Sequence, residues 1–308
     1  MTHIKIGTRG SRLALWQAYY VQNLLEKGGL TTEIITIETK GDQILDRSLS
    51  KIGSKGVFTQ ELEDQLRDGR IDIAVHSAKD LQSELDDDLE LIAFSERERV
   101  NDVLVSYNTS LSLGSGASFV VGTSSTRRVA LLKHFYPHIK TVDMRGNLQT
   151  RLRKLEEGQC DAILLAFAGV HRMEYDSLIS EHLSLNEFTP AVGQGSVAIE
   201  CSREMESGKR KEVRTLLNHP DTETCLLAER AFLRRLQGGC SVPVFGLASL
   251  ENDTVSMTGG VVSLDGQQLL KHTVNGLASN PQNVGIQLAE LLLAEGAADI
   301  LAQIKQNI

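Results

Sequence analysis

The sequence predicts an α/β protein of two lobes with a smaller α+β domain at its carboxyl end, and three observations predict it. Short apolar strand patterns alternate with amphipathic helical patterns from residue 4 to about 79. A second set of the same kind starts near residue 100, and from about residue 218 the pattern changes to a long helix, three strand-like stretches and terminal helices. Strands separated by helices pair in parallel through crossover connections. At 308 residues the chain exceeds what one hydrophobic core usually serves, and 41% hydrophobic residues can fill more than one.

The elements follow in order. IKIGT (4–8) reads as a strand and 11–27 as an amphipathic helix stopped by Gly28 and Gly29; TEIITIET (32–39) is the next strand. After a polar loop, 57–69 places Val57, Phe58, Leu62 and Leu66 on one helical side and ends at Gly69; IDIAVH (71–76) is a buried strand. The second set comprises DVLVS, FVVGTS, a helix from Ser125 to about Phe135, IKTVDM, a helix from Asn147 to Glu157 capped by Gly158, and CDAILLAF. The last region has a helix over 222–236, strands near 244–250, 254–262 and 269–275, and helices from about 281 and 297. Asn280 before Pro281 predicts a capped helix start.

Charge and composition exclude some classes. A net charge of −8 and 5% aromatic residues argue against a nucleic-acid binder, and the basic run RLRK (151–154) reads as a solvated helix face. Apolar runs such as AILLAFAGV (162–170) fall short of a membrane span, and no basic-then-apolar pattern opens the chain, so a cytoplasmic location is expected. The cysteines at 160, 201, 225 and 240 show neither CxxC pairs nor zinc spacing, and no metal is expected.

Three corners repeat one design. In TRGSR (8–12), GTSSTRR (122–128) and RGNLQTR (145–151), a strand ends, small or hydroxyl residues turn the chain, and arginines sit where a helix begins. Positive charge there opposes the helix dipole, so something anionic should compensate it. Any single arginine is explained by a neighbouring surface acid, but three corners in one acidic protein favour a polyanionic ligand. The candidates are Arg9, Arg127, Arg128, Arg145 and Arg151, with Ser11, Thr123 and Ser125 as hydroxyl donors.

VHSAKD (75–80) places Lys79 and Asp80 just past the carboxyl end of a buried strand, where open α/β sheets bind ligands. A carboxylate there can move protons or steady a cation. Taken alone, a surface ion pair is the simpler account, and His76 reads as a packing, hydrogen-bonded residue. GQGSVA (193–198) fits a dinucleotide-type glycine pattern but runs into apolar VAIEC instead of opening a helix. Cys160, Cys201 and Cys225 lie in apolar strands or a helix and read as small hydrophobes. In QGGCSVPVF (237–245) Cys240 is either a reactive thiol or attachment point, or an incidental residue of a tight turn.

TRGSRLALWQA, SKGVFTQELE, DIAVHSAKD, VGTSSTRR, MRGN with TRL, AVGQG with AIE, and GGCSVP occur in the order seen in the porphobilinogen deaminase (hydroxymethylbilane synthase) family, which the chain resembles from residue 4 to beyond 243. The resemblance implies two periplasmic-binding-protein-like α/β lobes plus a smaller C-terminal α+β domain. Its boundaries are 1–98 with 196–216 for the first lobe, 99–195 for the second, and 217–308 for the third domain. It also implies a dipyrromethane cofactor held by Cys240 through a thioether, and stepwise condensation of four porphobilinogens into linear hydroxymethylbilane with release of ammonia. Asp80 then acts on pyrrole N–H groups and on the cation formed as ammonia leaves. Lys79, Ser125, Arg127, Arg128 and Arg145 are assigned to the cofactor. Arg9, Ser11, Thr123, Arg151 and Arg172 are assigned to substrate and growing oligopyrrole. Lys51, Lys55 and Phe58 belong to a loop covering the cleft, for which an ordinary surface loop is the alternative. The family also suggests a monomer.

Departures are small. Leu81 and Gln82 stand where the family often has a hydrophobic residue then proline, and Gln237 where glutamate is common. Two rivals remain open at this level. A solute-binding protein explains lobes and arginines but needs neither Asp80 nor Cys240 and should carry an export signal. A nucleotide-dependent transferase lacks its glycine-rich lysine loop here.

Overall fold

The computed structural model describes residues 2–39, 41, 59–238 and 242–306. In chain order the elements begin β1 (His3–Arg9), α1 (Arg12–Lys27), β2 (Thr31–Ile37), α2 (Gln60–Arg67), β3 (Ile73–Ser77), β4 (Leu89–Phe94), β5 (Asp102–Val105), β6 (Val120–Gly122), α3 (Thr126–Phe135) and β7 (Lys140–Val142). They continue α4 (Leu148–Glu156), β8 (Ala162–Ala166), α5 (Phe167–Arg172), β9 (Ile179–His182), β10 (Val197–Ser202), α6 (Ser207–Leu217) and α7 (Pro220–Arg235). Last come β11 (Val244–Glu251), β12 (Thr254–Val262), β13 (Leu269–Leu277), α8 (Pro281–Leu292) and α9 (Ala298–Gln306). Contacts divide the chain into one unit of Met1–Glu98 with Gly195–Glu223 and another of Arg99–Gln194 with Thr224–Ile308.

The first unit is a five-stranded sheet in the order β2-β1-β3-β10-β4. β1 pairs in parallel with β2 and β3, whereas β10 runs antiparallel to both β3 and β4. Both faces are covered, which is why the inner strands read as nearly continuous apolar runs. On one face Ala18, Val21 and Leu25 of α1 and Val213 and Leu217 of α6 pack on Ile4, Ile6, Ile73 and Ile199. On the other, Leu62 and Leu66 of α2 pack with Ile37, Ile71, Ala74 and Leu89. Each buried aliphatic side chain contributes about 1.5–3 kcal/mol relative to exposure. Space on the α2 face is tight: a Cβ at Gly7 would stand 2.3 Å from Ile71 Cδ1.

The second unit contains a five-stranded sheet in the order β7-β6-β8-β5-β9 and a three-stranded antiparallel sheet, β11-β12-β13. β6 is parallel to β7 and β8, and β5 is antiparallel to β8 and β9. Phe245 and Val262 of the small sheet join the cluster of Leu104, Val121, Leu131 and Phe188, so the two sheets share a core. The small sheet's main cluster gathers Phe232, Met257, Val261, Leu288 and Leu292. There α8 approaches α7 so closely that a Cβ at Gly285 would stand 2.0 Å from the Ala228 carbonyl oxygen.

Some local expectations change. The predicted strand IKTVDM shortens to Lys140–Val142, and the helix expected from 222 starts at Pro220, a residue suited to a first helical turn. The helix predicted after Asn280 does begin at Pro281, but the Asn280 side chain makes no cap bond. β4, β9, α5 and α6 complete the picture; α6 buries only Val213 and Leu217, too few to mark it in a charged stretch.

Candidate active site

In the first unit, the turn after β1 and the turn after β3 meet at one cavity, lined by Arg9, Ser11, Gln17, His76, Ser77 and Asp80 among others. Ser11 N-caps α1, its hydroxyl accepting from Ala14 N at 3.3 Å. Thr8, fully buried, donates its hydroxyl to the Ala14 carbonyl at 3.1 Å. The buried Gln17 side chain donates to Ser77 Oγ at 2.8 Å, tying α1 to the end of β3. Past Ser77 a single 3-10 turn (Ala78–Asp80) carries the next two residues outward. Ala78 N donates to Ser196 O at 3.0 Å, anchoring that turn beside β10. Lys79 is half-buried and Asp80 exposed, and Leu81 is buried behind them.

In the cavity lining, His76 Nε2 lies 3.0 Å from Glu200 Oε2, with both side chains buried. His76 therefore packs and hydrogen-bonds, as its sequence context predicts. Glu200 Oε1 has no partner among the described residues. On α2, burial raises Glu63 above its ordinary value; the Thr59 hydroxyl opposes the shift, and the charge of Glu200 adds to it.

In the second unit, the corner after β6 is built the same way. Ser125 N-caps α3, and Thr123, buried, accepts from Ser125 N at 3.2 Å. Arg127 and Arg128 turn inward instead of outward and are 5% and 6% exposed. Both meet Asp102, which is fully buried: Arg127 donates to Oδ2 and Arg128 to Oδ1, each at 2.7 Å. Their remaining terminal nitrogens reach backbone carbonyls, Arg127 to Thr189 at 3.0 Å and Arg128 to Leu164 at 2.9 Å. Burial works against ionised Asp102, but the two guanidiniums overrule it and hold the carboxyl well below the usual range. Burial also pulls Arg127 below its ordinary value; Asp102 opposes this and Arg128 adds to it.

The adjacent corner carries Arg145 and Arg151. Ser124 Oγ donates to Met144 O at 2.5 Å, joining the two corners. Asn147 N-caps α4, Arg145 Nε lies 2.9 Å from Asp143, and Arg151 Nε donates to Gly146 O at 2.8 Å. Arg172 ends α5, half-buried, next in sequence to His171, whose ring stacks on Phe167.

The predicted residues thus gather in two sets. Arg9, Ser11 and Asp80 share the first unit's cavity; Thr123, Ser125, Arg127 and Arg128, with Arg145 and Arg151 on the next corner, share one end of the second unit's sheet. Cys240, Lys51, Lys55 and Phe58 lie outside the described residues. Cys160, Cys201 and Cys225 are buried, and burial pushes the Cys201 thiol up to about 12. Sequence reasoning missed Asp102, Glu200 and Gln194; an acid opening the apolar run DVLV was the one available signal for Asp102.

These groups suit an anionic organic cofactor. Two guanidinium charges meet one carboxylate at Asp102, and the buried Arg128 Nε has no hydrogen-bond partner among the described residues. Such a donor set accepts a carboxylate. No group of three or more His, Cys, Asp or Glu suited to a metal occurs among the described residues, and no described helix is long and apolar enough to cross a membrane.

Comparison with known proteins follows the same line. The family described as "Porphobilinogen deaminase, dipyromethane cofactor binding domain" matches residues 4–210, and "Porphobilinogen deaminase, C-terminal domain" matches 223–294. A porphobilinogen deaminase of Cytophaga hutchinsonii is 56% identical over 305 residues, covering 99% of this chain and 98% of the relative. One from Desulfosudis oleivorans is 52% identical over 305 residues, with the same coverage of 99% and 98%. Among solved structures, the VFT2 domain of Bordetella pertussis BvgS aligns with 70% of this chain and 85% of its own at 19% identity and a TM-score of 0.42. With sequence models matching both parts of the chain and relatives more than half identical along nearly all of it, the protein belongs to the porphobilinogen deaminase family.

Proposed function

We propose that Asp80 is the catalytic carboxylate of this chain's reaction and Cys240 the cofactor anchor. The protein is a hydroxymethylbilane synthase: it condenses four porphobilinogens stepwise on a dipyrromethane primer, releasing ammonia at each addition. The observation that carries the assignment of Asp80 is its exposed position in a cavity shared with Arg9 and Ser11.

When bound, the dipyrromethane supplies the free pyrrole carbon to which the first substrate is joined. Around it the chain's own residues hold and orient. Lys79, Ser125, Arg127, Arg128 and Arg145 take the cofactor's acetate and propionate groups. Arg9, Ser11, Thr123, Arg151 and Arg172 take those of porphobilinogen and the growing oligopyrrole. Asp80 accepts hydrogen bonds from pyrrole N–H groups and stabilises the positive charge that develops on the substrate's methylene carbon as ammonia departs. A carboxylate suits this because its negative charge lowers the energy of that cation, and it also holds the proton released when the pyrrole regains its aromaticity. The assignment of Lys51, Lys55 and Phe58 to covering the bound chain and excluding water concerns residues outside the described ones.

Three domains, with boundaries at 1–98 with 196–216, 99–195 and 217–308, are supported by the three separate sheets. A cytoplasmic monomer is the form in which we expect the enzyme to work. Intact-protein mass spectrometry of the wild type beside Cys240→Ser tests the anchor: an added dipyrromethane mass confined to the wild type supports it, and the same mass on both proteins overturns it. Ammonia and hydroxymethylbilane formation from porphobilinogen tests the reaction itself.

A further inference from the structure

We propose that Asp102, which makes no contact with the reacting groups in the scheme above, is the positioning residue that sets the cofactor-binding geometry of Arg127 and Arg128. The proposal rests on the assignment of those two arginines to the cofactor's acid groups.

Asp102 is placed rigidly. It opens β5, paired with Ala166 of β8, and its carbonyl accepts from Leu183 N at 2.9 Å on the other side. A side chain leaving so fixed a backbone can dictate where its partners sit. Each carboxylate oxygen takes one guanidinium at 2.7 Å, and Oδ1 also accepts from Gln194 Nε2 at 2.9 Å. Gln194 donates as well to Val100 O at 2.7 Å, so one carboxylate ties the two ends of the 99–194 stretch to the start of α3.

The charge count explains why this matters for a ligand. A buried charge is tolerated only when paired, and here two positive groups share one negative group. The cluster keeps one positive charge in excess. Thr189 O and Leu164 O each accept from one further terminal nitrogen, so these bonds leave other guanidinium N–H groups unassigned; among them Arg128 Nε is buried and without a partner among the described residues. Asp102 thus fixes both planar heads while leaving positive charge and N–H donors for an incoming carboxylate. With a second acid the cluster would be neutral, and without Asp102 the guanidiniums would repel each other and lose their common orientation.

The test uses the full chain prepared without cofactor, as wild type, Asp102→Asn, Gln194→Leu and Arg128→Leu. Each is titrated with porphobilinogen, and the covalently loaded fraction is read by intact mass, with thermal melting alongside. For Asp102→Asn we expect the half-loading concentration to rise at least tenfold while the plateau is still reached; Gln194→Leu should shift it in the same direction by less. A lower plateau at unchanged half-loading, the mark of a merely structural role, overturns the proposal. So does half-loading within twofold of wild type in Asp102→Asn when Arg128→Leu is strongly shifted, a pattern that leaves the arginine assignment standing. If Arg128→Leu also loads normally, that assignment falls and the proposal falls with it. Should Asp102→Asn fail to fold, a folded Gln194→Leu with wild-type half-loading overturns the proposal on its own.

Discussion

The two five-stranded sheets have equivalent strand orders and put them to opposite electrostatic use. Each has three parallel strands followed by one antiparallel strand, β10 in the first unit and β5 in the second. Gly-Thr falls at the carboxyl end of the first of these strands in both, at 7–8 and 122–123, and the corner that follows ends in a serine that caps a helix. Both inserted strands carry a fully buried acid. In the first unit that acid, Glu200, meets one histidine, and the polar side chains above it reach an open cavity. In the second, Asp102 meets two arginines and draws them out of solvent. One scaffold therefore supplies an exposed carboxylate in one unit and a buried cationic cluster in the other, and the residue paired with the inserted strand's acid distinguishes them.

The largest test of this contrast is Asp80→Asn. With the cavity walls intact, turnover should fall by about 10²–10⁴-fold without loss of melting temperature, because an exposed carboxylate gives little to stability. Near-normal turnover in a folded variant would remove the first unit's side of the comparison. Next in size is the stability of Asp102→Asn, expected to drop by about 3–5 kcal/mol at neutral pH in denaturant titration, since two buried guanidiniums lose their counter-charge. The native Asp102 value lies below the ordinary 3.8, so its stabilisation is present above about pH 4 and lost as pH falls further. The deficit of the variant should accordingly shrink in acid.

Glu63→Gln should show the opposite pH trend. Glu63 is raised above its ordinary 4.5, so the wild type is favoured below that value and loses this contribution as pH rises through the raised one. The variant should therefore gain on wild type between acid and neutral pH; a parallel pair of stability curves would contradict the raised value. The smallest effects belong to the matched caps. Ser11→Ala and Ser125→Ala should each cost about 0.5–2 kcal/mol, and a large difference between them would show that the two corners are less alike than their backbones.

Much of the molecule was legible in advance because it depends on near neighbours along the chain. The helices over 12–27, 126–135 and 148–156 follow from apolar spacing and from Ser11, Ser125 and Asn147 at their starts. The placing of Asp80 just beyond a buried strand followed from IDIAVH alone, and the arginine-rich corners announced an anion. The fate of the arginines was not legible. Arg127 and Arg128 follow their capping serine into α3, whereas Arg9 ends β1 ahead of its own, and residue type and spacing did not tell which would turn inward and which would line a cavity.

By itself the sequence determined the alternation of strands and helices, the capped corners and the ordered motifs that mark the family. Those depend on period, propensity and residue type, which are properties of short stretches. Only the tertiary structure decided that Asp102 would receive Arg127 from 25 residues away and Gln194 from 92, and that Glu200 would cross 124 positions to reach His76. Strand insertion and buried charge pairing are governed by distance in space. They are settled when the sheet assembles and desolvation forces each buried charge or polar group to find a partner.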